Sequence, residues 1–142
     1  MNRMPLVCLL LLLVCAPAAH PQKSNGTQNH GPRSVFLEIQ QGIAAGSISS
    51  FSPHFHSQVH VTLRGAESGL FSASQAYYLL LNYFRDRKSA GFSFTTYGDS
   101  GVNPYATGGI VFNVHGIREN AQVYVALSNI GSRWVITHIN IY

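Results

Sequence analysis

The sequence predicts an α+β domain in which helices pack on one face of a curved antiparallel sheet. Two patterns carry this prediction. Apolar residues recur at helical spacing in the first half of the chain, and apolar and polar residues alternate with period two from Phe92 onward. Short turns join the alternating segments, and such turns favour antiparallel neighbours. Because the helices come early and the strands late, the order of elements indicates the α+β class.

Residues 1–19 have the pattern of a secretory signal peptide. A basic residue precedes an apolar run over residues 6–16, and Ala16-Pro17-Ala18 matches the small-residue motif that signal peptidase cleaves. The apolar run is about half as long as the roughly 20 residues that a bilayer-spanning helix needs. We therefore predict cleavage near Ala18 or Ala19, export to the periplasm or the extracellular space, and no stable membrane anchor.

Removal of the signal peptide changes the composition of what remains. Both cysteines, Cys8 and Cys15, lie within it, so the mature domain has no thiol and depends on its core for stability. Lipid attachment at Cys15 is disfavoured because Val14 stands where a small residue is normally required. Residues 20–33 are polar and aperiodic and are predicted to be a disordered linker, which leaves residues 34–142 as one domain.

The charge of the chain gives no indication of a polyanionic partner. The formal net charge is +4 at pH 7, from nine Lys and Arg against five Asp and Glu. The basic residues are scattered apart from the short run Arg85-Asp86-Arg87-Lys88. A nucleic-acid-binding domain normally carries a denser basic patch with interleaved aromatic residues. The sequence therefore predicts no nucleic-acid partner.

Helical spacing predicts a first helix that Ser34 caps and Gly46 ends. Its apolar stripe consists of Phe36, Ile39 and Ile43. Residues 48–55 are interpreted as one helical turn followed by a loop. Residues 58–64 alternate cleanly between apolar and polar side chains, which predicts a half-buried strand.

Ser72 and Gln75 form the S-x-x-Q pattern of a capping box, which predicts a second helix that runs to about Arg87. The four strands predicted after Gly91 are residues 92–97, 109–115, 122–128 and 134–142. The turn signals between them lie at residues 99–101, 116–120 and 129–132. Gly108 and Gly109 predict a bulge or bend, which curved sheets require.

Two segments within this order of elements resemble the NTF2-like (cystatin-like) superfamily. The closing segment GSRWVITHINI, residues 131–141, is similar to the G-x-x-W-x-I-x-H-I-x-I last strand of those domains. FSPHF leading into VHVTL, within residues 51–63, is similar to their entry into the first strand. The resemblance covers about residues 34–142 and is strongest to short exported bacterial proteins of unknown function. It implies a cone between helices and sheet, which some members use as an active site.

Two classes of function remain open. The five carboxylates of the mature chain are Glu38, Glu67, Asp86, Asp99 and Glu119. The sequence predicts none at an inward-facing strand position, so the acid–base pair of the superfamily's isomerases has no counterpart. We predict a non-catalytic domain, without a cofactor, that binds a small apolar ligand or a protein partner. The alternative is an isomerase- or dehydratase-type pocket enzyme that uses His138 or His115 with a tyrosine.

The candidate ligand-binding residues are Trp134, His138, His115, Tyr97 and Tyr124. This set depends on the interpretation that His138 shares one face of its strand with Trp134, Ile136 and Asn140. His54, His56 and His60 are weak candidates for a metal site, since imidazole binds zinc, copper or nickel. Their placement in a loop and on a polar strand face favours ordinary exposed histidines.

The predicted strands carry apolar residues on both faces, which suggests a homodimer. Val123, Val125 and Leu127 alternate with Tyr124 and Ala126. A sheet with two apolar faces tends to cover the second face with a partner. The resemblance implies the same, because homodimers that pair through the sheet are common in this fold.

Overall fold

Two helices and six strands form the part of the chain that the computed structural model describes, residues 31–98 and 102–142. The helices are α1 (Pro32–Ala45) and α2 (Ala73–Asp86), and two 3₁₀ turns follow α1 at Ile48–Ser50 and Ser52–His54. The strands are β1 (Phe55–Leu63), β2 (Ser68–Ser72), β3 (Lys88–Gly98), β4 (Tyr105–Val114), β5 (Ile117–Ile130) and β6 (Arg133–Ile141). The predicted signal peptide, most of the predicted linker and the predicted turn at residues 99–101 lie outside the described residues.

The six strands form one sheet in the order β2-β1-β6-β5-β4-β3. Neighbouring strands are antiparallel except β1 and β6, which are parallel. The prediction of a purely antiparallel sheet is therefore wrong at this one pair. Short turns force antiparallel pairing only between consecutive strands, whereas α2 and four other strands separate β1 from β6 along the chain.

Strand β2 is the element that the sequence analysis missed. It pairs antiparallel with β1, with Val59 opposite Phe71 and Val61 opposite Gly69. Its five residues, SGLFS, contain a glycine and two serines, so the local sequence has the composition of a turn. The pairing with β1 supplies the hydrogen bonds that this segment cannot specify locally.

The first helix begins earlier than predicted. Gly31 is its N-cap and Pro32 occupies the first turn, a position that suits proline because that N–H has no helical partner. Ser34 therefore lies inside the helix, where its Oγ donates to the Gly31 carbonyl at 2.8 Å. The predicted end of the helix is confirmed: Gly46 caps it in the left-handed conformation, with φ of 66°.

The capping box of the second helix is confirmed. Ser72 Oγ accepts a hydrogen bond from the Gln75 backbone N–H at 3.2 Å, and Gln75 Oε1 accepts one from the Ser72 N–H at 3.0 Å. The helix buries Ala76, Leu80, Tyr83 and Phe84. Leu79 is only partly buried and packs against this cluster. None of the helices in the described residues is long and apolar enough to cross a membrane.

Both helices pack on one face of the sheet, here called the inner face; the opposite surface is called the outer face. The inner face carries a continuous cluster of buried apolar residues that includes Val59, Val61, Ile110, Phe112, Val123, Val125, Ile139 and Ile141. The predicted irregularity near Gly108 is confirmed, because the register of β3 against β4 shifts between Phe94 and Thr96, opposite Gly108 and Thr107. The inner face thus carries the hydrophobic core of the domain.

Candidate functional site

The outer face presents two rows of cross-strand neighbours that run across the sheet. The first row is Leu70, His60, His138, Ala126 and Tyr105. The second row is Ser68, Thr62, Asn140, Tyr124, Thr107 and Thr96. Neither row contains Asp, Glu, Lys or Arg. The rows combine aromatic rings, hydroxyls and imidazoles without a formal charge at neutral pH.

Two histidines stack at the middle of the first row. The rings of His60 and His138, on the parallel strands β1 and β6, have centroids 5.4 Å apart and planes inclined by 26°. His138 Nδ1 lies 3.1 Å from Thr137 Oγ1. Burial lowers the pKa of His138 below its usual value, and the neighbouring His60 lowers it further.

The outer face also contains two buried polar atoms that lack a hydrogen-bond partner. They are His60 Nδ1 and Asn140 Oδ1, one in each row. A buried polar atom without a hydrogen-bond partner lowers the stability of the fold by about 1–3 kcal/mol, so such atoms are uncommon in folded proteins. Both atoms are covered by neighbouring side chains of the same domain, so a molecule that contacts the outer face would not reach them directly.

A bulge in β6 overturns the predicted surroundings of His138. The pairing of β5 with β6 passes from Ala126–His138 directly to Leu127–Ile136, so Thr137 is the extra residue. The bulge reverses the alternation, and Ile136 joins the buried cluster while His138 lies on the outer face. The interpretation that His138 shares one face with Trp134 and Ile136 is therefore wrong, although Asn140 does share the outer face with it.

The five candidate ligand-binding residues do not form one pocket. Tyr124 lies on the outer face, where its ring stacks on Tyr105 with centroids 5.6 Å apart. Tyr97 packs edge-on against Phe36 and Phe94 at one end of the core. The Arg33 guanidinium lies 3.8 Å from the centre of the Tyr97 ring.

The remaining two candidate ligand-binding residues, Trp134 and His115, lie in two other parts of the fold. Trp134 is partly buried and packs against the core cluster. His115 lies in the two-residue turn between β4 and β5 with φ of 51°, followed by Gly116 with φ of 83°. Turns of this kind require positive φ and suit the twist of a hairpin. Of the five candidates, the structure therefore places only His138 and Tyr124 on the outer face.

The three histidines considered as metal ligands are also separate. His54 Nε2 lies 2.7 Å from Glu38 Oε2, and His56 Nδ1 lies 3.1 Å from the Gln58 carbonyl oxygen. His60 stacks on His138 instead. Within residues 31–98 and 102–142, no three His, Cys, Asp or Glu side chains are grouped as a metal site would need.

A cavity that the sequence analysis missed lies at the end of the core where β1, α2 and the β4–β5 hairpin meet. Its volume is about 250 Å³, and we call it the mouth cavity. It is lined by Arg64, Gly65, Tyr83, Arg87, Phe112, Glu119, Asn120 and Ala121. Burial raises the pKa of the Tyr83 phenol, while the nearby Arg87 and Arg64 oppose that rise.

Glu119 corrects the prediction that no carboxylate occupies an inward-facing strand position. It lies within β5 opposite Phe112, on the inner face and at the exposed rim of the mouth cavity. The sequence analysis assigned Glu119 to a turn because Glu119-Asn120 has turn composition. The one local signal for this cavity was the basic run at the end of the second helix, which contains Arg87.

Comparison with known proteins identifies the family. The profile described as "Domain of unknown function (DUF4783)" matches residues 36–142. The chain belongs to the DUF4783 family. No curated protein matches the sequence.

Solved structures of DUF4783 proteins share this fold. A DUF4783 protein from Bacteroides ovatus has 19% identity and a TM-score of 0.65, and the match covers 73% of this chain and 90% of that one. A second, from Bacteroides uniformis, has 14% identity and a TM-score of 0.67 over 74% and 93% of the two chains.

The likeness extends to the ketosteroid-isomerase-like fold. A hypothetical protein of that fold from Catenulispora acidiphila, in complex with trimethylamine, has 10% identity and a TM-score of 0.61 over 80% and 86% of the two chains. The predicted NTF2-like fold is thereby confirmed for this DUF4783 domain. At these identities the likeness concerns the fold, and the function has to be argued from the chain's own residues.

Proposed function

We propose that this chain is an exported, non-catalytic binding domain whose outer face binds a second copy of the chain. The observation that carries the proposal is the charge-free composition of the two outer rows, which include the stacked pairs His60–His138 and Tyr105–Tyr124. The central parts of protein interfaces are depleted in charged residues and enriched in tyrosine. Export rests on the predicted signal peptide.

The absence of charge from the two outer rows favours a second copy of the chain as the molecule that binds the outer face. The chain carries a formal net charge of +4, yet neither outer row contributes to it. A strongly charged partner would gain little from a neutral surface, whereas a second neutral surface meets it without burying an unpaired charge. A copy of the same chain supplies such a surface.

The aromatic packing on the inner face favours the hypothesis of a protein partner over that of a small apolar ligand. Edge-on contacts among Phe36, Phe94 and Tyr97, and among Tyr83, Phe84 and Phe112, occupy the region where the resemblance implies a cone. The enzyme alternative needs His138 or His115 beside a tyrosine in that region. His138 lies on the outer face and His115 in a hairpin turn, so this alternative has weaker support.

Sedimentation equilibrium of the purified protein tests the proposal. We expect a dimer for the native chain and a monomer for Tyr124→Arg, because a dimer would bury two guanidinium groups without partners. Tyr78→Arg is the matched control, since Tyr78 is 62% exposed on α2, away from the sheet. It should remain dimeric, and circular dichroism should verify that both variants are folded. A native chain that stays monomeric, or a folded Tyr124→Arg variant that stays dimeric, would contradict the proposal.

A further inference from the structure

The mouth cavity has two cationic groups beside a pair of buried aromatic rings. The rings of Tyr83 and Phe112 are both buried and meet edge-on, with centroids 5.9 Å apart. The Arg87 guanidinium carbon lies 4.4 Å from the centre of the Tyr83 ring. Arg64 reaches the cavity from the end of β1. The cavity therefore offers a mainly polar lining and positive charge within about 250 Å³.

In the described residues, the two arginine side chains contact neutral groups, the Asn120 carbonyl for Arg64 and the Tyr83 ring for Arg87. Arg64 Nη1 donates to the Asn120 carbonyl at 2.9 Å, and the Tyr83 hydroxyl donates to the Arg64 carbonyl at 3.3 Å. The ion pairs found in the described part of the chain involve His54 with Glu38 and Arg85 with Asp86, and neither cavity arginine. Each guanidinium has five N–H donors, so most of them are available to a ligand.

We infer that the mouth cavity binds a small organic carboxylate. The carboxylate would accept hydrogen bonds from Arg64 and Arg87, since guanidinium geometry matches two carboxylate oxygens. Phe112 is 1% exposed and the Arg87 guanidinium lies over the Tyr83 ring, so recognition would depend on the carboxylate and not on these rings. The cavity lies below the usual range of 300–1,000 Å³ for ligand sites, which favours a ligand with a single ring.

Glu119 leads to a second expectation about the affinity of the cavity for an anion. Its carboxylate lies at the rim of the cavity and would repel a bound anion. Replacing it with glutamine should therefore strengthen anion binding. If the arginines instead serve only to balance the charge of Glu119, the native chain should not bind the anion at all and only the Glu119→Gln variant would.

Isothermal titration with benzoate, at fixed ionic strength and neutral pH, tests the inference. Benzamide is the matched probe, since it has nearly the same shape and no charge. We expect saturable binding of benzoate and binding of benzamide at least about ten-fold weaker, as the loss of one charge-assisted contact predicts. Backbone amide NMR shifts at Gly65, Asn120 and Ala121 should move with benzoate and so locate the site.

Substitutions distinguish binding in the mouth cavity from attraction to the overall positive charge of the chain. Arg87→Gln and Arg64→Gln should each weaken benzoate binding by about ten-fold. Arg85→Gln removes an equal charge from an exposed residue outside the cavity, whose Nε lies 3.5 Å from Asp86, and should leave binding unchanged. Glu119→Gln should strengthen it. Melting temperatures should verify that all four variants fold.

Three outcomes would overturn the inference. They are no saturable benzoate binding, equal affinity for benzoate and benzamide, or equal weakening by Arg85→Gln and Arg87→Gln. Because the cavity and the outer face lie on opposite sides of the sheet, these results are independent of whether the chain dimerises. A monomeric chain that binds benzoate would contradict the proposed function alone.

Discussion

The two faces of the sheet are built from the same strands yet differ in the side chains that they carry. The inner face has edge-on aromatic contacts and a continuous cluster of buried aliphatic residues. The outer face instead presents stacked histidines and tyrosines among neutral hydroxyl groups. The difference indicates a division of roles, in which the inner face stabilises the fold and the outer face is available for contact.

Loss of an inner-face ring should cause the largest change. Phe112 is 1% exposed and meets Tyr83 and Phe84 edge-on, so Phe112→Ala removes both contacts and leaves a cavity. We expect the free energy of unfolding in urea to fall by about 3–5 kcal/mol. Val111→Ala, at the adjacent residue on the opposite face, should cost about 1 kcal/mol or less. Similar losses for the two variants would show that the faces do not differ in this way.

Two adjacent glycines give a finer test of the same difference. A Cβ added at Gly108 would overlap the Ser93 carbonyl oxygen and lie 2.8 Å from Phe94 Cα, and neither backbone atom can move aside cheaply. We expect Gly108→Ala to lower the free energy of unfolding by up to about 3 kcal/mol. At Gly109 the nearest atom is the flexible Gln122 side chain, 3.8 Å away, so Gly109→Ala should change stability by less than about 0.5 kcal/mol. Thermal melts of both variants are the measurement, and a tolerated Gly108→Ala would contradict the account.

The sequence predicted those parts of the fold that local chemistry specifies. The capping box at Ser72 and Gln75, the helix end at Gly46 and the strong alternation in the last four strands each depend on residues close together in the chain. The structure confirmed all of them. The elements whose form depends on distant partners were missed or misassigned: β2 is a strand because β1 lies beside it, and β1 and β6 are parallel because of the long connection between them.

The site was harder to predict, for the same physical reason. A single extra residue at Thr137 moved His138 to the outer face, and nothing in the local sequence distinguishes a bulged strand from a regular one. The mouth cavity brings together residues from β1, α2, β4 and β5, which no spacing in the sequence connects. The alternation of Tyr124 and Ala126 with the buried valines did predict an outer face with apolar character, since that pattern is local.

The smallest expected effect concerns pH and the outer face alone. Burial and the stacked His60 hold the pKa of His138 below 6.5, its ordinary value and the one expected in the unfolded chain. As the pH falls through 6.5, the unfolded chain therefore takes up a proton more readily than the folded one. The stability that neutral His138 contributes is complete above that pH and declines below it.

Urea unfolding at a series of pH values between about 5 and 8, at constant protein concentration, measures this dependence. We expect the free energy of unfolding to decrease towards low pH in the native chain and to decrease less in His138→Gln. His56→Gln is the control, because His56 interacts with Gln58 at the start of β1 and takes no part in the stack. If His138→Gln and the native chain give parallel profiles, the stacked histidines do not contribute to the pH dependence. If His56→Gln flattens the profile as much, the effect does not belong to the outer face.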